Sequence, residues 1–289
     1  MSRIAYVNGR YVPHRDAAVH VEDRGYQFAD GVYEVVAVHG GRLIDEKGHL
    51  DRLERSLKEL QIASPMGREP LRAVMREVLR RNRIRDGIVY MQITRGVARR
   101  DHPFPKNAVP ALVLTAKHIK PFDAKAARVG VDVITLPDIR WKRCDIKSVS
   151  LLPNILGKQQ AREAGAYEAW LIDGAGNVTE GTSSNAWIVT RGGELITRDA
   201  TSAILNGITR KAVLGAAKEE GVRFVERAFS VEEAYAAREA FVTSATSYVK
   251  PVVRIDGRSI GNGEVGELTG RLLDLYARHM EEGGAEAAE

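Results

Sequence analysis

Asn8-Gly9, set within Val7-Asn8-Gly9-Arg10-Tyr11-Val12, supplies the two positive-φ positions of a tight two-residue turn, and so predicts an antiparallel hairpin near the start of the chain. A second strand pair follows around Gly40-Gly41, with runs at 32–38 and 41–44. Helices then intervene. Leu50, Leu53, Leu57 and Leu60 recur at helical spacing over 49–62, and Leu71, Val74, Val78 and Leu79 mark the buried face of the next helix. Strands are expected at 87–94 and 111–116. The stretch between them, 96–110, carries three prolines and several charges, and a loop of that length tends to be functional.

Residues 121–128 lack any period and read as a linker, with a β-like run at 129–136 directly after it. The second half predicts helices at 151–164, 209–220 and 264–280, and strands at 168–172, 186–189, 240–243 and 252–255, with 223–226 extended. Ser230 and Glu233 form a capping box that opens a short helix. Residues 283–289 are expected to be disordered. Antiparallel strands with separately placed helices argue for an α+β chain in two domains, 1–120 and 129–289.

Composition narrows the class. Hydrophobic residues make up 44% and charged residues 28%, as in a globular protein, and no apolar run approaches the ~20 residues of a membrane span. The net charge of +5 comes from basic residues spread along the chain, without a nucleic-acid-binding signature. One cysteine, Cys144, excludes an intrachain disulfide and fits a reducing compartment, so a cytoplasmic protein is expected. No metal site is expected.

Four segments carry candidate chemistry. In Arg143-Cys144-Asp145-Ile146-Lys147-Ser148, between a strand and a helix, a lysine can point into a cleft, where burial or a neighbouring cation frees its amine for Schiff-base chemistry. By this test alone Lys142 and Lys158 are equally eligible, and a solvated lysine is the commoner outcome. In Val178-Thr179-Glu180-Gly181-Thr182-Ser183-Ser184-Asn185 one acid stands among small polar residues, suited to a pyridine nitrogen or simply to a solvated turn. Asn206-Gly207-Ile208-Thr209-Arg210 opens a helix whose free N–H groups attract anions. Thr243-Ser244-Ala245-Thr246-Ser247 ends a strand with hydroxyls that can serve the same anion. An activated lysine, a ring-nitrogen acid and a helix-end phosphate site together are what pyridoxal 5′-phosphate (PLP) requires.

Those segments, with Asp23-Arg24-Gly25-Tyr26-Gln27-Phe28-Ala29-Asp30-Gly31-Val32-Tyr33-Glu34 ahead of them, stand in the order of the class IV aminotransferases, which the chain resembles over nearly its whole length. The resemblance implies a fold-type IV PLP enzyme of two domains with the cofactor in the cleft between them, and a homodimer. It implies that Lys147 is the Schiff-base lysine, acting as base and then acid, and that Glu180 faces the pyridine nitrogen. Arg52, Ile208, Thr209 and Thr246 would serve the phosphate, and Ala245 stands where a threonine is expected. Three activities compete: D-amino acid transamination, branched-chain L-amino acid transamination, and an aminodeoxychorismate lyase. Tyr33-Glu34 and the pair Arg100 and His102 match the D-amino acid pattern, in which loop 96–110 reaches the neighbouring subunit's site. Tyr33 and Tyr90 would line the substrate pocket there, and 2-oxoglutarate or pyruvate would accept the amino group.

Overall fold

The computed structural model describes residues 3–283, so the tail expected to be disordered lies, beyond Gly283, outside the described residues. The chain divides into two compact units, one of residues 3–121 with Ile146–Ser150, the other of Phe122–Asp145 with Leu151–Glu282.

In the first unit the hairpin forms as its turn residues demand: β1 (Ile4–Val7) pairs antiparallel with β2 (Arg10–Pro13), with Asn8 at φ 45° and Gly9 at φ 91°. A one-turn helix, α1 (Arg24–Phe28), is capped by Asp23, whose carboxylate accepts from Gly25 N. Then come β3 (Gly31–His39), β4 (Arg42–Leu43), α2 (Glu46–Glu59), α3 (Arg68–Asn82), β5 (Gly87–Thr94) and β6 (Ala111–His118). The strands form one six-stranded antiparallel sheet, ordered β2-β1-β6-β5-β3-β4. Alternation sorts its two faces. Val32, Val36, Val38, Val89, Met91 and Ile93 pack with Leu50, Leu53 and Leu57 of α2 and with Leu71, Met75 and Val78 of α3. Tyr33, Tyr90 and Gln92 alternate onto the other face. β5 and β6 stay in register to Thr94↔Ala111, so loop 96–110 hangs from a finished hairpin. Gly96, at φ +92°, closes its neck: an added Cβ would stand 1.9 Å from the Val109 carbonyl oxygen.

The second unit opens with α4 (Ala124–Ala127), a single turn capped by Asp123 inside the stretch expected to be a linker. β7 (Val131–Pro137), α5 (Leu152–Glu163), β8 (Glu168–Ile172), β9 (Asn177–Gly181), β10 (Asn185–Val189) and β11 (Leu195–Thr197) follow. Beyond them lie α6 (Ile208–Glu219), β12 (Phe224–Glu226), β13 (Phe229–Ser230), α7 (Val231–Ala236), β14 (Glu239–Ser244), β15 (Tyr248–Ile255), β16 (Arg258–Ser259) and α8 (Glu267–Glu282). The capping box of Ser230 and Glu233 is formed. These strands make a ten-stranded mixed sheet, with β7 parallel to both β8 and β15. Four strands that apolar periodicity does not reveal, β9, β11, β13 and β16, complete it.

Candidate active site

Lys147 follows the second unit's Asp145 in sequence but folds with the first unit. Its carbonyl accepts from Tyr33 N at 3.0 Å, its own N–H donates to Ser56 Oγ at 3.3 Å, and Val149 N donates to the Gly31 carbonyl at 3.0 Å. Ser148 bridges to Val32, so residues 147–149 lie against the start of β3 like a short extra strand. The side chain brings Nζ to 4.1 Å from the centre of the Tyr33 ring. Tyr33 stacks on Tyr90 with centroids 5.7 Å apart, and Tyr90 OH donates to Gln92 Oε1 at 2.7 Å. Burial, then the neighbouring Tyr33, pushes the Tyr90 hydroxyl up to about 12, so it acts as a neutral donor. Lysine and both tyrosines therefore share the sheet face that the helices leave uncovered.

Arg52 reaches from α2 to β3, where its Nε and Nη2 donate to the two oxygens of Glu34 at 2.7 and 2.8 Å. His49 Nδ1 stands 2.7 Å from Glu34 Oε2. Glu34 is fully buried. Burial pushes its carboxyl up, but Arg52 and His49 overcome that and hold it well below the usual carboxylate range. An ionised Glu34 only accepts, so His49 presents an N–H at Nδ1.

Arg100 and His102 stand on the exposed loop, and both rest on one ring: the Arg100 guanidinium is 4.6 Å and the His102 ring 5.7 Å from the centre of Phe28. A fork of guanidinium and imidazole donors on a common plate is suited to a carboxylate.

In the second unit Glu180 belongs to strand β9 rather than to a solvated turn, and it is 5% exposed. Arg140 Nη1 donates to its Oε1 at 2.5 Å, Leu205 N to the same oxygen at 3.1 Å, and Asn185 Nδ2 to Oε2 at 3.0 Å. Burial nevertheless keeps the Glu180 carboxyl above its ordinary value, with Arg140 opposing. Arg140 is shared with Asp138, whose Oδ2 also takes the Thr179 hydroxyl at 2.8 Å. Asn185 ties this acid to the helix start, because its Nδ2 also donates to the Leu205 carbonyl at 2.8 Å. Gly207 packs on the same amide: a Cβ there would meet Asn185 Oδ1 at 2.1 Å. Gly207 N-caps α6 without a side-chain cap, so the N–H groups of Ile208 and Thr209 are left to an incoming anion, with Ile208 and Thr209 themselves buried. Asn185 pairs with Thr243 across β10 and β14, and beyond Thr243 the turn is organised by Ser244. Its Oγ lies 2.6 Å from Ser247 Oγ and 3.4 Å from Thr246 Oγ1. Ala245 contributes backbone alone, and Thr246 is exposed at the tip.

Buried Glu168 organises the segment between Glu180 and Asn185. Its carboxylate accepts from Ser183 N at 3.2 Å, Ser183 Oγ at 2.8 Å, Ser184 Oγ at 3.1 Å, and the Thr182 hydroxyl. Residues 182–184 are thus wrapped round an acid and held there.

The residues fit PLP. One unit offers a lysine on an open sheet face and an oriented arginine. The other offers an uncapped helix start, a hydroxyl-lined turn and a buried acid whose Oε2, with one amide donor, retains a lone pair for a protonated ring nitrogen. The sequence reading cited Glu34 only within the Tyr33-Glu34 pattern, without a role, and missed His49, Arg140 and Asn185, the other side chains that orient the rest. Only the acid of Tyr33-Glu34 carried a signal, because a glutamate at an inward strand position needs a cation.

Comparison with known proteins agrees. The family model for amino-transferase class IV matches residues 31–255. D-alanine aminotransferase of Staphylococcus haemolyticus is 40% identical over 278 residues, covering 96% of this chain and 97% of the relative. That of Bacillus licheniformis is 43% identical over 262 residues, covering 91% and 92%. Among solved structures, the branched-chain amino acid aminotransferase of Escherichia coli superposes with a TM-score of 0.89 at 25% identity, covering 96% of this chain and 94% of that one. A second branched-chain amino acid aminotransferase, solved with pyridoxamine 5′-phosphate, also gives 0.89, at 26% identity, covering 99% and 96%. The branched-chain aminotransferase of Thermoproteus uzoniensis with norvaline gives 0.86 at 27%, covering 99% and 97%. On sequence, on fold and on the fit of its residues to PLP, the chain belongs to the class IV aminotransferases.

Proposed function

We propose that the protein transfers the amino group of D-amino acids to a 2-oxo acid such as 2-oxoglutarate or pyruvate. The observation that carries the choice of substrate is the pairing of Arg100 and His102 on the Phe28 ring, two carboxylate donors brought together on one support. The names of the relatives at 40% and 43% identity favour the same substrate.

PLP, when bound, supplies an electron sink that acidifies the Cα–H of an attached amine. Lys147 would hold it, and the free Lys147 amine would take the proton from the substrate Cα as base and give it up again as acid, to the cofactor's carbon, within the same half-reaction. The fixed backbone of residues 147–149 leaves only side-chain torsions to adjust during that transfer. Glu180 keeps a proton on the pyridine nitrogen. Arg52, Thr246, the backbone of Ala245 and the N–H groups of Ile208 and Thr209 hold the phosphate. Arg100 and His102 hold the substrate carboxylate, Tyr33 adds a hydroxyl, and Tyr90 lines the pocket. Since the Cα–H must face Lys147, the side on which the carboxylate is held selects the enantiomer.

The active protein is proposed to be a homodimer in which loop 96–110 serves the neighbouring subunit's site. In its favour, Ile139, Leu152 and Ile155 of the second unit are each at least 60% exposed, apolar side chains that a second copy can cover. The two domains are proposed as 1–120 and 129–289, with 121–128 joining them. The compartment is proposed to be the cytoplasm, since a single, buried cysteine draws nothing from an oxidising one.

The test is a half-reaction: holoenzyme is mixed with D-alanine or L-alanine without a 2-oxo acid, and the visible absorbance of the cofactor is followed. Bleaching by D-alanine alone is expected. Bleaching by L-leucine instead would move the assignment to the branched-chain activity for which the structural neighbours are named. Release of pyruvate from aminodeoxychorismate without an acceptor would move it to the lyase.

A further inference from the structure

Arg24 belongs to none of the groups described so far. It is the first residue of α1 and its side chain is 4% exposed. Its Nε donates to Asp30 Oδ2 at 2.8 Å, its Nη1 to the Asp101 carbonyl at 2.6 Å, and its Nη2 to the His102 carbonyl at 3.2 Å. One planar cation thus joins the exit of α1 to two consecutive carbonyls of loop 96–110. Asp30 is held in turn by Arg95, through Nε at 2.7 Å and Nη2 at 3.0 Å, and Arg95 is itself tied to the Leu60 and Gln61 carbonyls. The far end of the same helix turn carries Phe28, on which Arg24, Arg100 and His102 all rest, Arg24 at 4.8 Å. So α1 grips the loop twice, by backbone through Arg24 and by side chain through Phe28.

An exposed loop without regular structure does not keep two side chains in register on its own. A bidentate contact to a carboxylate is lost when the donors shift by about 1 Å. Of the carbonyls that Arg24 holds, one lies between the two donors in sequence and the other belongs to His102 itself.

We propose that Arg24 is a positioning residue for the substrate carboxylate: by fixing the Asp101 and His102 carbonyls it sets where the Arg100 and His102 side chains stand. This rests on the reading of Arg100 and His102 as the carboxylate donors. Holding the carboxylate acts on ground and transition states alike, so losing the grip raises KM and spares kcat.

The experiment uses holoenzyme of Arg24→Gln and Arg24→Lys. Steady-state kinetics with D-alanine and 2-oxoglutarate are measured beside amide hydrogen exchange of residues 97–104. Both variants are expected to raise KM for both substrates about tenfold, the scale of one lost charge-assisted hydrogen bond, with kcat within about twofold and the loop amides exchanging faster. Arg24→Lys keeps the charge opposite Asp30, and with it the fold, but a single ammonium cannot span two carbonyls as a guanidinium fork does. Wild-type KM in Arg24→Lys overturns the proposal, and so does faster exchange with unchanged KM. Loss of kcat and of the cofactor's visible spectrum in Arg24→Lys also overturns it, since that marks a general support of the fold. Arg100→Ala is the separate control: unchanged KM there refutes the carboxylate reading itself, whatever Arg24 does.

Discussion

Replacing Glu34 by glutamine should cost the apo-protein about 3 kcal/mol, the lower end of the roughly 3–5 kcal/mol for removing one member of a buried ion pair. Glu34 is fully buried and accepts from Arg52 twice and from His49 once. The glutamine oxygen can keep one of these bonds, but its NH2 then faces a donor where an acceptor stood. The lower end applies because Arg52 is 10% exposed and can recover some solvation. At about 2–4 °C per kcal/mol for a domain of this size, the melting temperature should fall by about 6–12 °C. Circular dichroism melts of cofactor-free protein at pH 7.5 measure it. Glu77→Gln, which breaks only solvent-exposed pairs with Arg80 and Arg81, should leave the melting temperature unchanged. The folded Glu34 carboxyl titrates below its unfolded value, so its contribution is complete above about pH 4.5 and is lost only as pH falls below that. The difference between wild type and Glu34→Gln should therefore hold steady from about pH 5 upward. A fall of less than about 3 °C, or a difference that fades between about pH 5 and 7, would refute the claim that ionised Glu34 supports Arg52.

Other outcomes follow from the same geometry. Lys147→Ala should lower transamination by at least about a thousandfold, as loss of the proton-transfer group demands, and full activity there would remove the assignment. Gly207→Ala drives a methyl into Asn185 Oδ1 and should weaken PLP binding about tenfold or more in equilibrium dialysis, while the first unit's amide exchange stays unchanged. Gly96→Ala adds a Cβ against the Val109 carbonyl at a positive φ, and urea titration should show about 2–4 kcal/mol lost.

Local chemistry was legible in the sequence and long-range pairing was not. Asn8-Gly9 and the box of Ser230 and Glu233 carry their instructions within four residues, and both form as read. The segment around Glu180 looked like a polar turn because strand periodicity is sought in apolar residues. In the fold its polar groups are satisfied from afar: Thr179 donates to the Leu171 carbonyl and to Asp138, and Glu180 accepts from Arg140, 40 residues away. The same distance hid the grip of Arg24 on Asp101. The family pattern supplied Lys147, Glu180, Arg52 and the acid of Tyr33-Glu34, while the pairing of Glu34 with Arg52 and the side chains that orient Glu180 emerged only from the fold.

The neck at Gly96 has a consequence for how such an enzyme changes over time or under an engineer's hand. β5 and β6 are fully paired up to Thr94↔Ala111, and the chain is pinched against Val109 immediately beyond. Residues 97–108 thus form a cassette whose length and content can be exchanged without unpicking the sheet. On the proposed role of Arg100 and His102, that part of substrate choice would be separable from the lysine and the tyrosines on the sheet, and new loops can be tried on strands that keep pairing while they fail.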